Sequence, residues 1–383
     1  MTDPNPRRYG VDARVVQDHF PGIGRYVWNT LQAMLDQLNP DEQLVIAFDP
    51  NARNTRYDWQ QLRCSTTAPV EWMPWATPIF SLRALLTAPM RDVQLIHHTY
   101  FLRPLRARPP SVTSLYDAIP LRYPDSLPSA RARWAVRVGF WLASKLSTQI
   151  VTLSSSAAED LLSYFPYLRG RVVVVPGAPD PVFRPMASHE AEAHLAQRLT
   201  QVSQPFALYL ASNKPHKNLP RLVEAWRIVV ATLGDRAPRL VIAGHYDPRY
   251  PEAQQLVSAL GLEHKVVFVG LVSDAEATAL YSTCALFVFP SLYEGFGLTP
   301  LEAMACGAPV ACSNTSSLPE VVGDAAVLFD PHRADDIAAA CLRVLTDETL
   351  QANLRQASLR QAARFSWREA AARTLEVYRA IAR

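Results

Sequence analysis

Two carboxylates separated by seven residues, Glu294 and Glu302, bracket a Gly-Phe-Gly turn within Pro290-Ser-Leu-Tyr-Glu-Gly-Phe-Gly-Leu-Thr-Pro-Leu-Glu302. The apolar run Ala285 to Phe289 before them reads as a buried parallel strand, and Thr299, Pro300 and Glu302 read as N-cap, N1 and N3 of the next helix. Gly295, Phe296, Gly297 and Leu298 then stand where backbone N–H groups and a positive helix end meet phosphate or sugar oxygens. Glu302 reads two ways, because Thr299-x-x-Glu302 is also a capping box that satisfies helix amides. Glu294 has no helix amide to cap. The layout suits a ligand carrying both phosphate and hydroxyl groups, a sugar nucleotide.

Other chemistry-bearing residues cluster at the ends of expected strands. Ser212-Asn-Lys-Pro-His-Lys-Asn218 follows the strand Pro205 to Leu210, at the edge where parallel sheets bind ligands. Lys214 and Lys217 there read as cations for a departing diphosphate, or as solvated lysines of an exposed helix-entry loop. Gly22 and Gly24, in Phe20-Pro-Gly-Ile-Gly-Arg-Tyr26, open a helix after the first strand. They read either as a close approach to phosphate or as a plain turn, and the absence of G-x-G-x-x-G argues against a dinucleotide oxidoreductase. Tyr116 and Asp117 end another strand, and His97 and His98 end the one before it, as core histidines or as groups reaching a cleft.

These segments together resemble the retaining nucleotide-sugar glycosyltransferases of family four, which share the two-Rossmann GT-B architecture. Glu294-Gly-Phe-Gly-Leu-Thr-Pro-Leu-Glu302 is similar to that family's E-x7-E motif. The resemblance implies that Glu294 lies by the donor sugar, Glu302 holds the ribose hydroxyls and Lys217 stabilises the leaving diphosphate. It implies Gly22 and Gly24 beside the donor pyrophosphate, and Asp117 as the acceptor-side carboxylate, with Tyr116 standing where a histidine is common. The family's usual arginine is replaced by Ser212, so Lys214 is inferred as its substitute, although an ammonium lacks arginine's bidentate fork. The implied reaction is front-face substitution, with lysine and helix ends supplying the charge compensation and no metal or cofactor expected. The sequence context resembles bacterial mannosyltransferases of surface-polysaccharide synthesis, which implies GDP-mannose, with a UDP-hexose as alternative donor. A sugar-nucleotide epimerase and a silent nucleotide-binding scaffold of the same fold are the alternatives outside transfer.

The elements that must position these groups alternate between strand and helix along 383 residues, about half of them apolar. That pattern predicts an α/β chain with two Rossmann-like domains, their parallel sheets facing across a cleft. The Pro-rich stretch Pro176 to Pro185 reads as the linker. It divides an acceptor-side domain, residues 1–180, from a nucleotide-sugar domain, 181–365, and the resemblance implies that a closing helix, 366–383, packs back on the first. Six strands are expected in the first half, from Tyr9–Ala13 to Arg171–Val175, and five in the second, ending at Pro309–Ala311.

The net charge of +3 gives no signal for nucleic acid, but residues 1–180 carry 19 Lys and Arg against 15 Asp and Glu. The segments Trp72 to Leu86 and Arg131 to Lys145 mix tryptophans with arginines, a composition that suits either a lipid interface or a packed core. Five scattered cysteines without CxxC spacing imply reduced thiols in a cytoplasmic protein. No apolar run approaches the ~18 residues of a spanning helix and no leader is read at the start, so peripheral contact at the membrane's inner face is the form of association expected. The expected partners are a nucleotide-sugar donor and a saccharide or lipid-linked acceptor.

Overall fold

The computed structural model describes residues 6–87, 89–90, 92–106 and 109–382. The Pro-rich start, 1–5, and Arg383 of the expected closing helix lie outside them. The chain divides into two compact units, 1–178 with 366–383, and 179–365.

The first unit is built on a seven-stranded sheet: β1 (Arg7–Asp12), β2 (Glu42–Phe48), β3 (Val70–Pro74), β4 (Leu95–His98), β5 (Ser111–Ser114), β6 (Gln149–Thr152) and β7 (Val172–Val174). Their order is β3-β2-β1-β4-β5-β6-β7, with every pairing parallel. The second unit carries β8 (Phe206–Leu210), β9 (Arg239–Ala243), β10 (Val266–Gly270), β11 (Leu286–Phe289), β12 (Val310–Ser313) and β13 (Ala326–Phe329) in the order β10-β9-β8-β11-β12-β13, again all parallel. Central strands such as β11, Leu-Phe-Val-Phe, are buried at every position, as expected of a parallel sheet covered on both faces. In the second unit Trp226, on the helix Leu219–Leu233, packs with Leu240, Ile242 and Val288.

Two strands went unread in the sequence. β3 is a half-buried edge strand that closes with proline, a composition that reads as a loop. β13 has only four residues, Ala-Val-Leu-Phe, and its Leu328 points to solvent. The helix Trp367–Ile381 belongs to the first unit for specific reasons. Arg379 makes paired hydrogen bonds of 2.8 and 2.7 Å to the buried Glu42 carboxylate, Tyr378 reaches His97, and Gln37 donates to the Arg368 carbonyl. All five cysteines are unpaired thiols, four of them buried.

In each unit the strand order reverses at one point, between β1 and β4 and between β8 and β11. Loops leaving the carboxyl ends of two such strands diverge to opposite sides and leave a crevice.

Candidate active site

In the second unit the loops after β8 and β11 face each other across the switch point, and they carry the lysine and glutamate singled out by spacing. Lys217 Nζ donates to Glu294 Oε1 at 2.7 Å, with side chains 16% and 10% exposed, and the ammonium stands 5.2 Å from the Phe289 ring centroid. Of the two readings, Lys217 is therefore not a solvated lysine, although Lys214 and Pro215 of the same loop are exposed. Its single 3-10 turn, Pro215–Lys217, buries His216, and Asn218 turns the chain into the next helix with a left-handed φ of 60°. The Asn218 amide donates to the carbonyls of Pro290 and Pro331. The His216 carbonyl accepts from the Leu292 N–H at 2.7 Å and the Ser291 hydroxyl at 3.0 Å. His216 itself is pushed down to about 3, by burial first and then by Lys217 and Lys214, so it adds no charge beside the pair.

A third loop supports the glutamate, and sequence reading missed it. Ser316, at φ 52°, accepts the Glu294 N–H at 2.9 Å. Ser317 donates to the carbonyls of Glu294 and Phe296, and Thr315 to that of Leu292. The available signal was the run Ser313-Asn-Thr-Ser-Ser317 directly after a buried strand, where hydroxyls serve backbone groups.

The capping box expected at Thr299 and Glu302 does not form. The helix spans Leu298–Ala305 with Gly297 as N-cap, at φ 110° and without a side-chain cap bond. A Cβ on Gly297 would lie 2.9 Å from Leu318. Glycine's freedom at positive φ starts the helix two residues earlier than Thr299 would, and Pro300 falls within the first turn, where its missing N–H is harmless. Glu302, half-buried, is the fifth helical residue. Leu298 is the first helical residue, and Gly295 and Phe296 are buried in the turn. The Phe296 ring packs edge-on against Phe365, 5.7 Å between centroids.

A cavity of about 330 Å³ opens at the ends of β8, β9 and β10, lined in part by Asn213, Gly244, His245, Tyr246 and Gln254. Its walls are fixed by two devices. Asn213 donates to the carbonyls of Asp247 and Tyr250 and accepts the Asp247 N–H. Gly244, at φ 125°, brings its backbone so close to Ala211 that a Cβ would stand 2.1 Å from the Ala211 carbonyl oxygen. Ser212 is half-buried, its carbonyl accepting from Tyr209. Lys214 reaches solvent, and its ammonium is lowered by partial enclosure and then by the positive Lys217 and Arg249.

The first unit gathers its candidates at the carboxyl edge of its own sheet. Gly22 and Gly24 lie inside the first turn of the helix Pro21–Leu35, because Pro21 already takes N1, and Phe20 as N-cap makes no side-chain cap bond. Asp117 accepts the Ile119 N–H at 2.8 Å. The Tyr116 hydroxyl donates to the Thr99 carbonyl, and its ring meets Tyr26 edge-on at 5.4 Å. His97 bridges Tyr378 and Ser114 and is pushed down to about 3 by burial. His98, paired in register with Asp12 and Thr113, is buried with neither ring nitrogen hydrogen-bonded, and burial, then Arg103, His97 and Arg14, hold it well below the usual histidine range.

Sequence reading also missed a buried ion pair here. Arg14 grips both oxygens of Asp12 at 2.8 and 2.6 Å, donates to the Thr77 carbonyl and stacks 3.3 Å from the Trp75 ring centroid. Among the described residues no three His, Cys, Asp or Glu side chains form a metal-holding group.

Comparison with known proteins follows the division into units. The Glycosyltransferase Family 4 pattern matches residues 21–183 and the Glycosyl transferases group 1 pattern residues 191–361. O-antigen chain mannosyltransferase B of Escherichia coli is 33% identical over 271 residues, 70% of each chain. The serotype-specific mannosyltransferase WbdA of Escherichia coli is 36% identical over 229 residues, 59% of this chain. The chain matches only 28% of the length of that longer relative. Sucrose-phosphate synthase of Thermosynechococcus elongatus superposes with a TM-score of 0.74 over 98% of this chain and 99% of its own, at 19% identity.

Proposed function

The chain belongs to the family-four, group 1 glycosyltransferases of GT-B fold, and from that premise we propose that it transfers mannose from GDP-mannose to a saccharide or lipid-linked saccharide acceptor, with retention at the anomeric carbon. The observation that carries the reading is the 2.7 Å Lys217–Glu294 pair at the switch point of the second unit. A cation for the diphosphate and an acceptor for sugar hydroxyls are held in one place, each fixed through its own loop. The mannosyl assignment is supported by the mannosyltransferases to which the chain is similar.

In the proposed step the bond from the anomeric carbon to the diphosphate oxygen breaks, and the acceptor hydroxyl oxygen bonds to that carbon from the same face. The hydroxyl proton passes to the departing diphosphate. Lys217, Lys214 and the N–H groups at Gly295 to Gly297 meet the growing negative charge, the part a divalent ion plays elsewhere. Glu294 orients the sugar, Glu302 holds the ribose and the cavity by Asn213 takes the nucleoside. In the first unit, the resemblance assigns Asp117 to the acceptor and Gly22 and Gly24 to the pyrophosphate.

A thermal-shift screen of GDP, UDP, ADP and their sugars tests this. GDP-mannose at a hundred times its Kd should add ~2.7 kcal/mol to apparent stability. A shift selective for a UDP-hexose would replace the donor assignment, and no shift with any nucleotide would overturn the reading.

A further inference from the structure

The helix Ala130–Leu146, Ala-Arg-Ala-Arg-Trp-Ala-Val-Arg-Val-Gly-Phe-Trp-Leu-Ala-Ser-Lys-Leu, has an outer face that folding leaves unused. Its inner side, Gly139, Phe140, Ala143 and Ser144, is buried, with Phe140 packed on Phe101 at 4.9 Å between centroids. On the opposite side Trp134 is 69% and Trp141 49% exposed. Seven residues apart, they lie almost in line along the helix, about 10 Å from one another. Arg131, Arg137 and Lys145 are exposed at steps of three or four residues from these tryptophans, so they share the face.

The helix contains four cations and no acidic residue. Tyr167 continues the patch, held by Ser144 at 2.6 Å and covered by the Lys145 ammonium 3.5 Å from its ring centroid.

We propose that this face docks on an anionic lipid bilayer, with the two indoles at the headgroup boundary and the cations against the anionic headgroups. Indole rings flanked by arginine and lysine match that boundary in both polarity and charge. A second copy fits poorly, since a two-fold contact would set the same cations against each other. A bilayer offers the opposite charge across the whole face. The inference deepens the lipid-linked acceptor reading by naming the surface that would hold the enzyme where such an acceptor lies. Its test involves no sugar or nucleotide, so its failure is separate from failure of the transfer reading.

The experiment is co-sedimentation of the full chain with phosphatidylglycerol–phosphatidylcholine vesicles and with pure phosphatidylcholine vesicles. Runs at about 0.1 M and 1 M salt span a fall in Debye length from ~10 to ~3 Å. Binding is expected to the anionic vesicles at low salt and to be lost at high salt. The Arg131→Gln/Arg137→Gln/Lys145→Gln variant should partition roughly a hundredfold less, about fivefold per cation. The Trp134→Ala/Trp141→Ala variant should lose at least about tenfold with its melting curve little changed, because Trp134 lies mostly and Trp141 about half in water. The proposal is overturned if the wild-type chain ignores anionic vesicles, or if both variants partition as it does. A dimer in solution that the tryptophan variant splits would also overturn it, by assigning the face to a second copy.

Discussion

Replacing Lys217 by alanine should produce two losses that separate in a double mutant. The pair it breaks is 2.7 Å long, and its side chains are 16% and 10% exposed. Leaving one partner of a fully buried pair alone costs ~3–5 kcal/mol. Glu294 keeps some contact with water, so about 1–3 kcal/mol of folding stability should go, the range for an unsatisfied polar or charged group. Catalysis should lose more, because a preorganised donor to developing negative charge contributes ~2.7–4 kcal/mol, or 10²–10³ in kcat.

Adding Glu294→Gln removes the stranded carboxylate, and stability should return toward wild type while turnover stays low. Urea denaturation followed by circular dichroism reads the first quantity, and initial rates of nucleoside diphosphate release read the second. The coupling energy comes from the full cycle of four proteins. If Lys217→Ala keeps wild-type turnover, the lysine has no part in the reaction. If Glu294→Gln restores activity in step with stability, Lys217 serves only to neutralise its neighbour, and the leaving-group role falls.

Four further outcomes follow from the geometry. Thr299→Ala should change stability by less than about 0.5 kcal/mol, against ~1 kcal/mol for a lost cap, while Glu302→Gln should weaken donor binding about tenfold by removing a charged acceptor; calorimetry with unchanged affinity would remove the ribose assignment. Gly244→Ala forces a Cβ to 2.1 Å from the Ala211 carbonyl at φ 125°, and should cost about 3 kcal/mol or more in urea denaturation, so wild-type stability would refute that close approach. Burial raises the Glu42 carboxyl, but the bonds from Arg379 and Asn39 outweigh it and hold it at about 2. The unfolded chain therefore binds the extra proton, and this stability is complete above about 4.5 and is lost as pH falls toward 2. Arg379→Gln should flatten that part of the wild-type curve of melting temperature against pH, and an unchanged slope would refute the tether.

The doubly wound alternation was legible because buried strands such as Leu286–Phe289 are continuous apolar runs, and their bounds fall within a few residues of the expected ones. Edge strands obey a weaker rule. β3, half in water and ending in proline, has the composition of a loop, and only its pairing with β2 marks it as a strand. The helix start at Gly297 was misread for a related reason: a Thr-Pro-x-Glu string carries the chemistry of a cap, yet a glycine two residues earlier at φ 110° begins the helix first. Local preference lost there to a backbone conformation that the sequence does not display.

The site shows the same limit more sharply. Lys217 and Glu294 could be singled out by residue type, but their 2.7 Å contact depends on groups that carry no motif. Asn218 ties its loop to two carbonyls, the His216 carbonyl receives the β11 loop, and Ser316 and Ser317 hold Glu294 through its backbone. Each is a side chain–backbone or backbone–backbone bond across 22 to 113 residues of sequence, so no local pattern encodes it. A glutamate fixed by its own N–H and C=O keeps its carboxylate free to exchange Lys217 for a ligand hydroxyl without rebuilding the loop. In the proposed reaction, that division of labour, backbone for position and carboxylate for chemistry, would let the ion pair of the resting protein become two separate contacts around a bound donor. Ser317→Ala tests it directly. Loss of both bonds to the 294–296 backbone should loosen the carboxylate and lower kcat about tenfold or more, the scale of a misplaced positioning group, with donor affinity changing less. An unchanged kcat would mean that the third loop does not position Glu294.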